Sequence, residues 1–216
     1  MLSALTIWIE HAIIAWGILG VFLGSIIEEI IVVIPSVLVQ AGAGFFLLSE
    51  LPFGWEGVVK LIFWVAVPSA LGVAIGSLVI YFLAYYGGRP ALHRFGKYFL
   101  LSERKIEAAR VDMVHRSSTI YFITMLRFIP LLPNTIITAV AGLLRIPPKQ
   151  YIVSTFIGIF IRALYLGAIG WATGDVYSGS EHSLLSRIGV LFGVLLAISL
   201  LTGMIIKYGR RSKKIR

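Results

Sequence analysis

The chain has 216 residues, 58% hydrophobic and only 13% charged, with a formal net charge of +9. A soluble domain averages about 45–50% apolar and about 25% charged residues, so this composition reads as an all-α polytopic membrane protein. There is no cysteine, which excludes disulfides and thiolate chemistry; the four histidines (His11, His93, His115 and His182) show no ligand spacing, so neither a metal nor a cofactor is expected.

Residues 4–27 read as an uncleaved first span, interrupted only by Glu10 and His11, with Gly17, Gly20 and Gly24 set for close helix contact. Residues 28–48 hold two acids, Glu28 and Glu29, then an apolar run, Pro35 and a small-residue stretch ending at Gly44. Residues 49–57 form a loop, and 58–86 suffice to cross a hydrocarbon core, which needs about 20 residues. Gly72 and Gly76 make a small-xxx-small face on that span. Gly87, Gly88 and Pro90 are expected to stop it. The polar segment 87–118 carries a short amphipathic helix from Ser102 through about Val114. Residues 119–146 turn apolar again and hold Arg127, Pro130, Pro133, Asn134 and Gly142. A turn over 145–150 precedes a span over 151–173 with Arg162 at its middle, a polar loop over 174–183, a last span over 184–207 and a basic tail over 208–216.

The basic residues set the orientation. Of nineteen Lys and Arg, seven lie between Arg89 and Arg116 and six between Lys207 and Arg216. Blocks that flank apolar spans read as a positive-inside signal, not as a nucleic-acid surface. With both blocks cytoplasmic, parity holds only if 28–48 and 119–146 enter and leave on the same side. Both then read as re-entrant hairpins, with Pro35 turning the first and Pro130 and Pro133 the second. Exposed backbone at such tips is tolerated only against protein or a wet cavity. The expectation is two re-entrant helical hairpins plus about four transmembrane helices, in a plasma-membrane protein with a cytoplasmic C-terminus.

The hairpins share a spacing. Glu29 precedes Pro35 by six residues and Gly44 by fifteen; Arg127 precedes Pro133 by six and Gly142 by fifteen. Each copy is followed by a long span, and the copies enter from opposite sides. This reads as an inverted repeat, with 28–86 as the first copy and 119–173 as the second, of the kind secondary transporters use.

Ionisable groups inside a membrane cost roughly 2.5–3.5 kcal/mol each and default to functional hypotheses. Arg127 reads as a phosphate-binding group, because guanidinium stays charged and offers a bidentate fork; a structural ion pair with Glu28 or Glu29 is the competing reading. Asn134, just past the break, can donate to the same anion. Arg162 lies eleven residues from either end of its span, so it reads as a second phosphate ligand or a partner for the acids. Glu28 and Glu29 read as proton-coupling or gating groups, or as solvated acids at a hairpin mouth. Gly44, Gly72, Gly76 and Gly142 read as helix-packing positions. Tyr85, Tyr86, Tyr151, Trp171 and Tyr208 read as interface-belt residues.

Three stretches, in order, resemble the DedA family of SNARE-associated, VTT-domain membrane proteins: "SIIEEIIVVIPSVLVQAGAG", "GSLVIYFLAYYGGRPALHRFGKY" and "RFIPLLPNTIITAVAGLLRIPPKQYIVSTFIG". The resemblance covers roughly 15–175. It implies two re-entrant hairpins within an inverted repeat, and movement of lipids between leaflets, with polyprenyl phosphate or phospholipid as cargo. It places Glu28 at the hairpin acid position and Arg127 at the first arginine position. Two positions depart from many bacterial members: Val37 replaces an acid, and Pro133 replaces a second arginine. These weigh against a strict proton-driven polyprenyl-phosphate mechanism and leave lipid translocation in place.

The expected function is thus a lipid translocase, a flippase or scramblase for phosphate-bearing lipids. Its partners would be membrane lipids and protons. The alternatives are a proton or small-ion antiporter and a purely structural partner protein. An enzyme is not expected, since no catalytic constellation is evident. Glycine-rich faces permit a homodimer without requiring one.

Overall fold

The computed structural model describes residues 15–30, 36–95, 118–129 and 133–177. Those residues form α1 (Ile18–Ile30), α2 (Ser36–Leu48), α3 (55–95), α4 (Ser118–Phe128), α5 (Asn134–Leu143) and α6 (Pro148–Tyr177), with no strand among them. Pro35, Pro130, the amphipathic segment after Ser102, the span over 184–207, the basic tail, Glu10, His11 and Tyr208 lie outside the described residues.

Two helices are long and apolar enough to cross a membrane, over Trp55–Gly87 and Pro148–Gly174. The others are short: α1 and α2 have 13 residues each, α4 has 11 and α5 has 10. Over the described residues none reaches the roughly 20 residues a hydrocarbon core requires. They occur as two pairs, α1 with α2 and α4 with α5. Glu28 and Glu29, expected at a hairpin start, lie near the end of the described part of α1.

Packing follows one scheme in both halves. The first short helix of each pair lies on the long helix that follows it, α1 on α3 and α4 on α6. The second lies on the long helix of the other half, α2 on α6 and α5 on α3. Small residues set how close these helices come. A Cβ at Gly44 would lie 2.0 Å from the Gly167 carbonyl oxygen, and one at Gly170 only 1.9 Å from that of Ala41. On α3, a Cβ at Gly72 would lie 2.5 Å from the Phe22 carbonyl oxygen, and one at Gly76 3.0 Å from that of Ile26. At Gly142 it would lie 2.5 Å from the Tyr81 carbonyl oxygen. Such contacts replace the hydrophobic drive that lipid does not supply between helices.

The stop expected at Gly87, Gly88 and Pro90 is corrected, because α3 continues to Phe95. An internal proline removes one backbone hydrogen bond and need not end a helix whose flanking turns are formed. Another proline has a larger effect on α3. Residues Leu61–Ala66 form a π-helical segment, and the Val67 N–H donates to the Ile62 carbonyl five residues back. Pro68 follows, with no N–H and a ring that crowds the preceding turn, and the wider π turn makes room for it. Gly17 is also corrected. It has φ +53° with open space around its Cβ position, so it supplies a left-handed turn before α1, not a helix contact.

The turn after α5 has two linked closures. Arg145 N–H donates to Gly142 O at 2.9 Å and Ile146 N–H to Ala141 O at 3.1 Å. This Schellman pattern puts a non-glycine residue, Arg145, at φ 51°. The Tyr81 hydroxyl donates to the Ile146 carbonyl, and the Arg145 guanidinium lies over the Tyr85 ring. Pro148 opens α6 at the one helical position where its missing N–H costs nothing. Outside the helix contacts, Leu71, Ile75, Val79 and Leu83 recur every four residues along α3 and are exposed. That apolar stripe is the surface a hydrocarbon solvent would cover.

Candidate functional site

The polar side chains of the interior converge where α1, α4 and α5 meet α6. Glu28, Glu29, Arg127, Asn134, Thr138, Tyr151 and Arg162 are all buried, and Arg127 and Arg162 are fully so. Arg127 occupies the last turn of α4, where a cation complements the helix dipole. Glu28 and Glu29 lie near the end of the described part of α1. Buried charges inside a membrane point to function or to a specific partner.

Two acid–base pairs run side by side, each bridged by an uncharged residue of α5. Thr138 stands between Glu29 and Arg127. Its hydroxyl is 2.6 Å from Glu29 Oε1, and Arg127 Nη2 donates to it at 2.8 Å. The two charges themselves are 3.8 Å apart, beyond hydrogen-bond distance. Asn134, one turn earlier, stands between Glu28 and Arg162. Its Nδ2 donates to Glu28 Oε1 at 3.4 Å, and its Oδ1 accepts from Arg162 Nη1 at 3.1 Å. The four-residue step from Asn134 to Thr138 puts both bridges on one helix face.

Tyr151 completes the cluster. Its hydroxyl accepts from Arg127 Nη2 at 2.7 Å and lies 3.0 Å from the Thr138 hydroxyl. The Tyr151 ring stacks on that of Tyr81, with centroids 4.4 Å apart. Arg127 thus spends one nitrogen on two hydroxyls, while its Nε and Nη1 have no hydrogen-bond partner among the described residues. Glu29 Oε2 has none there either. Gly158 makes room for this arginine, since a Cβ there would lie 2.9 Å from Arg127 Cβ. Two further bonds fix α4 on α6: Thr124 Oγ1 donates to Ser154 O at 3.2 Å, and the Tyr165 hydroxyl to Phe128 O at 2.9 Å.

The structure therefore brings together Glu28, Glu29, Arg127, Asn134 and Arg162. Pro133 stands immediately before α5 as its N-cap residue. Val37, at the position where the family resemblance implies an acid in many bacterial members, is exposed. Two belt assignments are corrected, because Tyr151 and Trp171 are fully buried. Trp171 stacks on Phe53 at 4.3 Å and donates from Nε1 to Leu51 O at 3.2 Å. An aromatic residue near a span end reads as interfacial until packing shows otherwise. Sequence reading also missed Thr138 and Gly158. For Gly158 the signal was a stripe on α6: Tyr151, Ser154, Thr155, Gly158 and Arg162 recur at helical spacing on one face of an otherwise apolar helix, whereas for Thr138 it was only the four-residue step from Asn134 on α5. No group of three or more His, Cys, Asp or Glu placed to hold a metal occurs among the described residues.

A model of the VTT domain matches residues 34–172. The chain belongs to the VTT-domain (DedA) family. Undecaprenyl phosphate transporter A of Bacillus subtilis is 29% identical over 182 residues, which is 84% of this chain and 82% of that protein. Transmembrane protein 41B is 32% identical in Xenopus laevis and 30% in Homo sapiens, in each case over 85 residues, or 39% of this chain. Those matches span 29% and 28% of the respective relatives. No solved structure matches significantly. VTT-domain proteins are membrane proteins, and the two membrane-length helices of this chain agree.

Proposed function

We propose that this VTT-domain protein moves phosphate-bearing lipids between membrane leaflets, with Arg127 as the principal phosphate ligand. The observation that carries the reading is a permanently charged, fully buried arginine with Nε and Nη1 unspent among the described residues, steadied by Thr138 and Tyr151. Arginine matches a phosphate head group with parallel N–H bonds. Arg162 and Asn134 provide a second cation and an amide within the same cluster. A relative named for undecaprenyl phosphate, covering most of both chains, supports the same cargo class.

Charge balance gives the mechanism. Glu28, Glu29, Arg127 and Arg162 sum to zero when all are ionised. A phosphodiester entering the cluster adds one negative charge, and an uncompensated buried charge is strongly unfavourable. A proton taken up by Glu28 or Glu29 restores neutrality and releases the matching arginine. The head group then crosses between the hairpin tips while the tails stay in lipid. In this reading 28–48 and 119–146 are re-entrant hairpins of an inverted repeat, and the C-terminal tail is cytoplasmic. The meeting of Glu29 with Arg127, residues at matching repeat positions, and the exchanged packing of α2 and α5 support it. The full burial of the cluster favours one competitor, a proton or small-ion antiporter using the same acids.

The test is leaflet-to-leaflet transfer of a fluorescent phospholipid and of a polyprenyl phosphate in proteoliposomes, with and without a pH gradient. The expected result is transfer of at least one lipid above protein-free vesicles, faster with the gradient. If neither lipid moves while a proton flux does, the antiporter reading replaces this one.

A further inference from the structure

Hydrogen-bond arithmetic at Thr138 leads beyond the phosphate ligand. A hydroxyl has one proton and two lone pairs. Four polar atoms surround this one: Glu29 Oε1 at 2.6 Å, Arg127 Nη2 at 2.8 Å, Tyr151 Oη at 3.0 Å and the Asn134 carbonyl oxygen at 3.0 Å. Arg127 can only donate, so it takes one lone pair. Tyr151 accepts the other Nη2 hydrogen of Arg127, so its own proton goes to Thr138 and takes the second. One Thr138 proton then remains for two acceptors, Glu29 and the Asn134 carbonyl. It cannot serve both.

Resting on the proposed transport reading, we infer that Thr138 is a two-position switch that couples the protonation of Glu29 to the release of Arg127. While Glu29 is ionised, the hydroxyl points to it in a short charge-assisted bond. When Glu29 takes a proton, that acceptor weakens and the hydroxyl turns to the Asn134 carbonyl, an ordinary bond to the residue four back. Arg127 keeps its bonds to Thr138 and Tyr151 in both positions and loses its counter-charge, which leaves its Nε and Nη1 N–H groups to take the phosphate. Among the described residues, the charged groups that act on Glu29 are Arg127 on α4 and Arg162 on α6; Tyr151 joins them through Arg127, and Glu28 on α1 and Tyr165 on α6 through Arg162. Helices α2 and α5 contain no ionisable residue. From α3, Gly76 faces Glu29 and Tyr81 stacks on Tyr151.

The test uses the purified full chain and does not depend on lipid. The infrared carboxylic-acid band of Glu29, identified by its loss in Glu29→Gln, is titrated in wild type, Thr138→Val and Thr138→Ser. Valine keeps the shape and removes the donor; serine keeps the donor. The expected result is a midpoint displaced to more alkaline pH in Thr138→Val by about one unit, the size of a lost hydrogen bond to a charged group, and restored in Thr138→Ser. If Thr138→Val does not fold, Thr138→Cys, a weak donor, takes its place and shifts the same way. An unmoved midpoint, or equal displacement in Thr138→Ser, overturns the switch. Proteoliposome transfer by wild type judges the transport reading separately, and its pH profile should move with the band in the valine variant.

Discussion

The α2–α6 seam and the polar cluster solve one problem in opposite ways. Both must hold helices together where lipid offers no hydrophobic drive. The seam does so by removing side chains, so that Gly44 and Gly170 meet backbone carbonyls directly. The cluster does so by bridging charges through Thr138 and Asn134. The seam has no slack, since any added atom overlaps backbone. The cluster has slack, since Arg127 keeps unspent donors and Thr138 has more acceptors than protons. In the proposed transport reading, the rigid seam is the scaffold and the rearrangeable cluster carries the change.

The largest expected effect breaks the cluster on one side only. Arg127→Ala leaves Glu29 buried without its counter-charge, and breaking a buried pair typically costs about 3–5 kcal/mol. Thermal unfolding in detergent should report that loss, and Arg127→Ala with Glu29→Gln should recover much of it, because no lone charge remains. Next come seam substitutions. Gly170→Ala places a methyl 1.9 Å from the Ala41 carbonyl oxygen, and overpacking of this kind costs about 1–3 kcal/mol. It should lower thermal stability without changing the pH dependence of transfer, whereas cluster variants should change both. That contrast is what separates the two regions.

Smaller effects sharpen the comparison. Tyr151→Phe removes a hydroxyl and leaves the ring stacked on Tyr81. Interhelical polar contacts in membranes average about 0.6 kcal/mol, with a maximum of about 1.7. Stability should therefore fall by roughly that much, while transfer falls several-fold because Arg127 loses one of its two hydroxyl supports. The smallest net effect belongs to Arg145→Gly, in which a gain and a loss offset each other. It relieves a left-handed non-glycine residue, worth about 1–2 kcal/mol, and gives up the contact with Tyr85. A small rise in melting temperature with unchanged transfer is expected.

Part of this was legible in the sequence, for a physical reason. Charges inside apolar segments are costly, so Glu28, Glu29, Arg127 and Arg162 stand out without any structure. Asn134 stood out because it follows a proline break. Thr138 and Tyr151 did not. Threonine sits in apolar helices at little cost, and a tyrosine near a span end fits an interface as well as a core. Their roles depend on which face meets Arg127, and that is settled by packing between helices far apart in the chain. The glycines divide in the same way. Gly72 and Gly76 announced themselves by mutual spacing on one helix. Gly158, Gly167 and Gly170 matter because of what lies opposite them on other helices. The end of α3 was misread because Gly87, Gly88 and Pro90 are helix breakers by propensity, and propensity yields to context.

The central claim is that Arg127 binds lipid phosphate through the guanidinium N–H groups left over from Thr138 and Tyr151. The most direct measurement is proteoliposome transfer of a phosphate-bearing lipid by wild type and by Arg127→Lys, at matched protein content. Lysine keeps the charge and loses the planar guanidinium with its Nε and Nη1 donors. A drop of about tenfold or more, the loss of one charge-assisted hydrogen bond, is the predicted result. Equal transfer by the two proteins would contradict it and leave Arg127 as a structural counter-charge to Glu29.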